Sequence, residues 1–449
     1  MARLFGTDGV RGIANTELTP MLAYKLGQVG AYVLTKHTNH KPKVIIGKDT
    51  RISGDMLEAA LSAGLCSVGA EVVLVGVVPT PAVAHLTRFF EADVGVVISA
   101  SHNPMEYNGI KFFNSKGYKL NDDIENEIED IILDNKEEIK VPTGADLGTI
   151  SYNFNAIDEY IAFAKSTIST DLNGLKIAID CANGAASASA KRVLGDLGAT
   201  VFTINDQPNG TNINKDCGST HLEHLQKFVC EIGADIGLAF DGDADRVLAV
   251  DESGSIVDGD KIMAICALDM NRRGVLKDST IVATVMSNLG LYIMAKENGL
   301  NIVQTKVGDR YVLDEMAASN YSIGGEQSGH VIMLDYNTTG DGLVTGLQLL
   351  AVMKSSGNPL SVLADAMTVM PQVLVNAQVK TENKNAYTED ANIMKMIEEI
   401  EKEFSGNGRV LIRPSGTEPL VRVMIEGKDI DSITKKAQEL AKLIETKLK

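Results

Sequence analysis

Apolar residues gather in short, nearly unbroken runs of Val, Ile and Leu, each followed by small or polar residues and then by a helical pattern. KVIIGKDTRISG (43–54), LKIAIDCANGAAS (175–187) and STIVATVMSNLG (279–290) share this order, which is that of a strand turning into a helix. A second run, introduced by glycine, follows in each case: GAEVVLVG (69–76), GATVFTIN (198–205) and GLNIVQTKVG (299–308). A third closes each series: EADVGVVISASHNP (91–104), GADIGLAFDGDADR (233–246) and YSIGGEQSGH (321–330). Strands that are apolar throughout are buried on both faces, so the pattern predicts three related α/β domains with mixed, mostly parallel sheets.

From about Pro371 the pattern changes. QVLVNAQV, RVLIRPSGTEP and LVRVMIEG alternate with two charged helical stretches, which predicts a smaller α+β domain with an antiparallel sheet. KTENKNAYTED (380–390) reads as a solvated connection. The expected domains are 1–150, 151–255, 256–370 and 371–449, arranged around a central crevice.

Composition narrows the function. A chain of 449 residues with 42 basic and 59 acidic side chains carries a net charge of −17, which repels nucleic acid and anionic lipid. An anionic ligand therefore needs a local cluster of cations. Cys66, Cys181, Cys217, Cys230 and Cys266 form no CxxC pair and are odd in number, so neither a zinc ribbon nor a complete disulfide framework is expected. A reducing cytoplasm fits. MARLFGTDGVRG has no apolar core of a signal peptide, and no spanning helix is expected.

In parallel sheets ligands bind beyond the carboxyl ends of the strands, and the three series become unusual at that place. DGDADR puts Asp241, Asp243 and Asp245 at alternate positions after an apolar run. Three carboxylates repel one another unless a cation joins them, and Mg²⁺ prefers oxygen ligands. A solvated Asp/Gly turn is the plainer reading, but it needs fewer acids; an EF-hand would have to run its loop through the apolar VLAV to reach Glu252. ISASHNP places Ser101 where a turn would suffice or where chemistry could occur. GEQSGH offers Glu326 and Ser328 to hydroxyls, with His330 as a titrating group. RPSGTEP supplies Arg413, Ser415, Gly416 and Thr417, with Arg422 following, a donor set suited to phosphate. FGTDGVRG and NGIKFF add Arg11 and Lys111, which are otherwise plain surface cations. KVGDR and TTGDG read mainly as turns and helix caps, and HLEH (221–224) as a helix surface.

With ISASHNP, DGDADR, GEQSGH and RPSGTEP in this order, the whole chain resembles the α-D-phosphohexomutase family, and FGTDGVRG, GGEQSGH and NTTGDG resemble its bacterial amino-sugar branch. The resemblance implies interconversion of glucosamine 6-phosphate and glucosamine 1-phosphate through a 1,6-bisphosphate, toward UDP-N-acetylglucosamine and the cell wall. It implies that Ser101 is a phosphoserine and that Asp241, Asp243 and Asp245 hold one Mg²⁺ together with its phosphate. It places Glu326 and Ser328 on sugar hydroxyls. Arg413, Ser415, Gly416, Thr417 and Arg422 fall on the phosphate that does not react. Arg11, Lys111 and His330 become candidates for proton transfer and charge stabilisation, glucosamine or glucose 1,6-bisphosphate becomes a candidate activator, and a homodimer is left open.

The nearest alternative is the phosphoglucomutase or phosphomannomutase branch of the same family, and three more distant readings stand beside it. Aspartyl-phosphate enzymes place their paired Asp on the first strand, unlike DGDADR. A serine hydrolase would need a GxSxG elbow and a base better placed than the adjacent His102. A non-catalytic phosphosugar-binding protein would bind without turnover.

Overall fold

A computed structural model describes residues 4–449 except 7, 135, 416 and 417. Three sheets repeat one arrangement. In the first, β1 (Val10–Ile13), β2 (Lys43–Lys48), β3 (Glu71–Val77), β4 (Val94–Ile98), β5 (Tyr107–Asn114) and β6 (Thr149–Tyr152) lie in the order β1-β5-β4-β2-β3-β6. The second contains β7 (Lys176–Asp180), β8 (Thr200–Ile204), β9 (Ile236–Phe240), β10 (Val247–Asp251) and β11 (Ile256–Val257), ordered β11-β10-β9-β7-β8. The third contains β12 (Thr280–Thr284), β13 (Asn301–Thr305), β14 (Ile323–Gly325) and β15 (Val331–Met333), ordered β13-β12-β14-β15.

In all three sheets the first strand of the series is central, the second and third flank it in parallel, and a fourth runs back antiparallel beside the third. The parallel strands β2, β4, β7, β9 and β12 are buried almost end to end, as helices on both faces require. ISASHNP, DGDADR and GEQSGH are thus the same connection, the turn from the third strand into its antiparallel neighbour. Because that turn joins adjacent strands directly, it is short and held at both ends, which suits a residue that must keep its position.

Local chemistry ends the helices as expected. Thr19 accepts from Leu22 N ahead of the helix Pro20–Thr35, with Pro at its first turn. Asp341 of TTGDG accepts from Val344 N and caps the helix Gly342–Ser356.

The chain divides into two compact units: 4–286 with 300–366, and 287–299 with 367–449. In the second, β16 (Gln372–Gln378), β17 (Gly408–Pro414) and β18 (Leu420–Gly427) form an antiparallel sheet ordered β16-β18-β17, packed on the helices Ala391–Phe404 and Ile430–Leu448 through Val421, Val423, Ile425, Ile433, Leu440 and Ile444. The helix Leu289–Glu297, which the sequence pattern assigns to the third series, belongs to this unit. Asn288 accepts from Met370 N and donates to Met370 O, and Arg409 pairs with the buried Glu426 while donating to Ser287 O. The stretch 380–390 has no buried residue, as a solvated connection should, but it is not shapeless: it forms two short turns, Tyr387 packs against the core, and Lys384 Nζ donates to Ser415 O at 2.6 Å. No helix of the described residues is long and apolar enough to cross a membrane.

Candidate active site

β4 ends at Ile98, and Ser101 follows with φ of 54°, a left-handed conformation that a serine adopts only when its surroundings hold it there. Those surroundings are explicit. Ser101 N donates to Ser99 Oγ at 2.9 Å, and Ser99 Oγ donates to Asp49 Oδ2 at 2.6 Å. Arg51, itself paired with Asp49 at 2.9 Å, donates to the carbonyls of Ser101, Asn103, Pro104 and Tyr107. Asn214 Nδ2 adds bonds to Ser101 O at 2.8 Å and Asn103 O at 3.0 Å. Burial pushes the Asp49 carboxyl up, against the pull of Arg51.

The side chain of Ser101 points at the acidic loop of the second sheet: Ser101 Oγ donates to Asp241 Oδ2 at 2.6 Å. A Cβ on Gly242 would stand 2.5 Å from Ser101 O, so only glycine lets the two loops approach this closely. Ligand atoms of Asp241, Asp243 and Asp245 lie within 4.8 Å of one another, all buried. Burial, and then Asp245 and Asp243, push the Asp241 carboxyl well above the usual range. Asp243 Oδ1 and Asp245 Oδ1 are buried without a hydrogen-bond partner. Unpartnered oxygens on mutually repelling carboxylates are what a hard divalent cation would satisfy, so the residues present fit Mg²⁺.

Cations surround the triad. Lys111, on β5 and only 1 % exposed, reaches Asp243 Oδ2 at 2.9 Å, Asp8 Oδ2 at 2.9 Å and Asp245 Oδ2 at 3.8 Å. Burial opposes its charge, but Asp243, Asp8 and Asp245 outweigh that and raise its pKa, so it stays protonated. It is no surface cation. His330 is equally buried, with Nδ1 3.6 Å from Asp245 Oδ2 and Nε2 3.4 Å from Asp309 Oδ2. Burial lowers its pKa, yet Asp245 and Asp309 raise it overall. Arg11, opposite Gly109 in the β1–β5 pairing, binds Asp8. His102 lies nearer Ser101 than sequence adjacency suggests, with Nδ1 3.3 Å from Oγ. Its pKa is lowered by burial, Arg246 and Arg11, and no carboxylate hydrogen bond to it occurs among the described residues, so a hydrolase triad is not formed.

Glu326 and Ser328 lie in the turn between β14 and β15; Glu326 Oε1 accepts from Gly308 N at 3.2 Å, and Ser328 is exposed and open to a ligand. In the second unit Arg413 on β17 is the direct partner of Arg422 on β18, so two guanidinium groups share one stretch of sheet. Arg422 is loosely paired with Glu418 at 3.5 Å, and buried Ser415 Oγ accepts from Glu418 N at 3.1 Å. Gly416 and Thr417 lie outside the described residues.

Ser101, the Asp triad, Lys111, His330 and Arg11 therefore belong to one network in the first unit, and Arg413, Ser415 and Arg422 to one loop in the second. Several members of the network are hard to see in sequence. Arg51, Asn214 and Thr80 hold the loops, and Asp8 and Asp309 surround the cations, with Lys119 between them. Arg51 sits in the turn after the first strand of its series, Asp8 in FGTDGVRG and Asp309 in KVGDR, whereas nothing in the sequence marks Asn214, Thr80 or Lys119. KVGDR does start a helix, Asp309–Ser319, but the Asp309 carboxylate is committed to Lys119 and His330.

Family models match nearly the whole chain. The three phosphoglucomutase/phosphomannomutase alpha/beta/alpha domain models match residues 2–139 (domain I), 158–254 (domain II) and 258–370 (domain III), and the C-terminal domain model of the same family matches 374–443. A phosphoglucosamine mutase of Acetivibrio thermocellus is 65% identical over 448 residues, covering 100% of both chains. Among solved structures, a phosphoglucomutase/phosphomannomutase family protein from Burkholderia thailandensis superposes with a TM-score of 0.79 at 25% identity, over 97% of each chain. An N-acetylphosphoglucosamine mutase of Aspergillus fumigatus in complex with GlcNAc-6P and magnesium shares the fold, with a TM-score of 0.70 at 18% identity over 100% of this chain and 96% of that one.

Proposed function

The chain belongs to the phosphoglucomutase/phosphomannomutase family and carries phosphoglucosamine mutase activity, an isomerisation; from this premise we propose how its residues divide the work. Ser101 carries the phosphoryl group. With glucosamine 6-phosphate bound, the P–O bond of phospho-Ser101 breaks as a bond forms from phosphorus to O1 of the sugar, and the O1 proton ends on Ser101 Oγ. The resulting 1,6-bisphosphate turns over within the site. Its 6-phosphoryl group then passes from O6 to Ser101 Oγ, whose proton ends on O6, leaving glucosamine 1-phosphate. The observation that carries this reading is the 2.6 Å contact of Ser101 Oγ with Asp241, a member of a buried carboxylate triad with free oxygens.

Asp241, Asp243 and Asp245, with an oxygen of the Ser101 phosphate, would hold one Mg²⁺, which when bound offsets negative charge on the transferring phosphoryl group. Lys111 and His330, beside carboxylates that favour their charged forms, and the Arg11 guanidinium stabilise the same charge. Glu326 and Ser328 receive the sugar hydroxyls. Arg413, Ser415 and Arg422, with Gly416 and Thr417 between them in sequence, clamp the distal phosphate in either orientation of the bisphosphate. The segments 1–150, 151–255, 256–370 and 371–449 carry these four tasks in turn. Free 1,6-bisphosphate recharges Ser101, and the reaction feeds UDP-N-acetylglucosamine synthesis in the cytoplasm.

Phosphorus NMR tests both transfer and specificity, with glucosamine, glucose and mannose 6-phosphates each supplied with a trace of bisphosphate. Glucosamine phosphate should equilibrate fastest, and Ser101→Ala should abolish turnover while leaving fold and Mg²⁺ binding intact. Retained turnover in Ser101→Ala would overturn the phosphoserine route, and faster conversion of glucose or mannose phosphate would overturn the amino-sugar preference.

A further inference from the structure

The mechanism above leaves part of the buried charge network without a task. Lys119 ends the turn SKGYK (115–119) that follows β5 and lies outside every motif that carries chemistry. Its Nζ stands 2.6 Å from Asp8 Oδ1 and also pairs with Asp309 Oδ2. The other oxygen of Asp8 is 2.9 Å from Lys111 Nζ, and Asp309 Oδ2 is 3.4 Å from His330 Nε2. Lys111 and His330 then meet at Asp245 Oδ2, at 3.8 Å and 3.6 Å. The result is a closed ring of alternating sign: Lys119, Asp8, Lys111, Asp245, His330, Asp309 and back to Lys119. Its members come from the first, second and third sheets or their flanking segments.

Such a ring has a specific mechanical effect. A lysine on four methylenes is free to wander, whereas Lys111 has carboxylates on several sides and one of them, Asp8, is itself held by Lys119 and Arg11. Removing a charge from a buried ring leaves its neighbours uncompensated and lets them shift. We propose that Lys119 is a positioning residue for phosphoryl transfer, setting Lys111 through Asp8 and His330 through Asp309. The inference rests on the reading of Lys111 and His330 as stabilisers of the transferring phosphoryl group.

The test uses the full-length protein with Mg²⁺ and a trace of bisphosphate, assayed in both directions. In Lys119→Met, kcat should fall by about tenfold to a hundredfold while KM stays within about twofold, because a misplacement of about 1 Å acts on the transition state rather than on binding. Lys119→Arg should recover most of that loss. Within a background of Lys111→Met and His330→Gln together, adding Lys119→Met should change kcat by less than about twofold, since an effect routed through those two residues has nothing left to act on. Unchanged kcat per folded molecule in Lys119→Met overturns the proposal, and so does a loss that multiplies in full with that of the Lys111→Met and His330→Gln pair. If Lys111→Met and His330→Gln both leave kcat unchanged, the reading of those two residues fails, and the positioning role with it. Should Lys119→Met not fold, isosteric Asp309→Asn takes its place: kcat should fall at constant KM, and the fall should vanish in a His330→Gln background. Unchanged kcat in Asp309→Asn then overturns the proposal.

Discussion

Thr80 is tied to Asp243 twice: its Oγ1 donates to Asp243 Oδ2 at 2.6 Å, and its amide donates to the Asp243 carbonyl oxygen at 2.9 Å. Together with Lys111 this occupies Oδ2 and leaves Oδ1 as the free oxygen facing the triad. Thr80 opens the helix Thr80–Phe89 of the first sheet's series, so the orientation of a carboxylate in the second depends on it. Thr80→Val keeps the shape and removes one of the two ties. Its Mg²⁺ affinity should fall by about tenfold, the size of effect expected when a residue behind a metal ligand is lost. Titrating turnover against Mg²⁺ measures it, and an unchanged half-saturation would show that Lys111 and the remaining main-chain bond are enough to orient Asp243.

Arg51 acts on the Ser101 loop as Thr80 acts on the acidic one. A lysine there would keep the charge beside Asp49 but has no planar fork to meet several carbonyls at once. Arg51→Lys should therefore lower the stability of the first unit by about 2–4 kcal/mol, through unsatisfied buried carbonyls and a poorly paired Asp49. A drop in the thermal unfolding midpoint, accompanied by slower phosphorylation of Ser101 by bisphosphate, is the expected result.

Arg413 and Arg422 face each other across β17 and β18, and on the proposed route both orientations of the bisphosphate would use this loop. Arg413→Ala should raise KM for glucosamine 6-phosphate and glucosamine 1-phosphate alike, by about tenfold to a hundredfold for a lost charge-assisted bidentate contact. More bisphosphate should escape per turnover, with Mg²⁺ binding unaffected. Kinetics in both directions, with assay of released bisphosphate, measures this; a defect confined to one substrate would exclude a shared clamp.

His85 sets a limit on acid stability. It lies between Phe163, with ring centroids 4.1 Å apart, and Phe89, at 5.9 Å, and burial, aided by Arg88, lowers its pKa from 6.5 to about 4. The unfolded chain binds the His85 proton more readily than the folded one across that window. Stability from this site is therefore complete above the unfolded value and falls with pH down to the folded value. The loss should be on the order of 2 kcal/mol after allowance for partial exposure. His85→Phe should flatten the decline of the unfolding midpoint between pH 6.5 and about 4; an unchanged slope would place the acid-sensitive group elsewhere.

Much of this site is legible in the sequence because its unusual residues recur at one place in a threefold pattern. Ser101 and the Asp triad stand out as polar residues ending apolar runs, a conflict with burial that local sequence exposes. Lys119 and Asp309 do not stand out. A lysine in a polar turn and an aspartate at a helix start each satisfy a local rule, and only the packing of the three sheets brings them together. The antiparallel fourth strands of the second and third sheets are similarly hidden, since VLAVD and VIM are too short to show their direction. The fate of Leu289–Glu297 was unreadable for the same reason: its pattern fits the third series, while its partners Met370, Arg409 and Glu426 lie far along the chain.

That helix also bears on how the protein is made. Arg409 donates to Ser287 O, a partner 122 residues earlier, so Ser287 leaves the ribosome roughly ten seconds before the side chain that holds it. The first unit can assemble as it emerges, but the segment 287–299 must wait, loosely ordered, for the last strands of the chain. The C-terminal unit is consequently completed only after synthesis ends, and a ribosome stalled or a message truncated before β17 would yield a nascent chain with a finished Ser101 loop and an unclaimed helix for chaperones to shield.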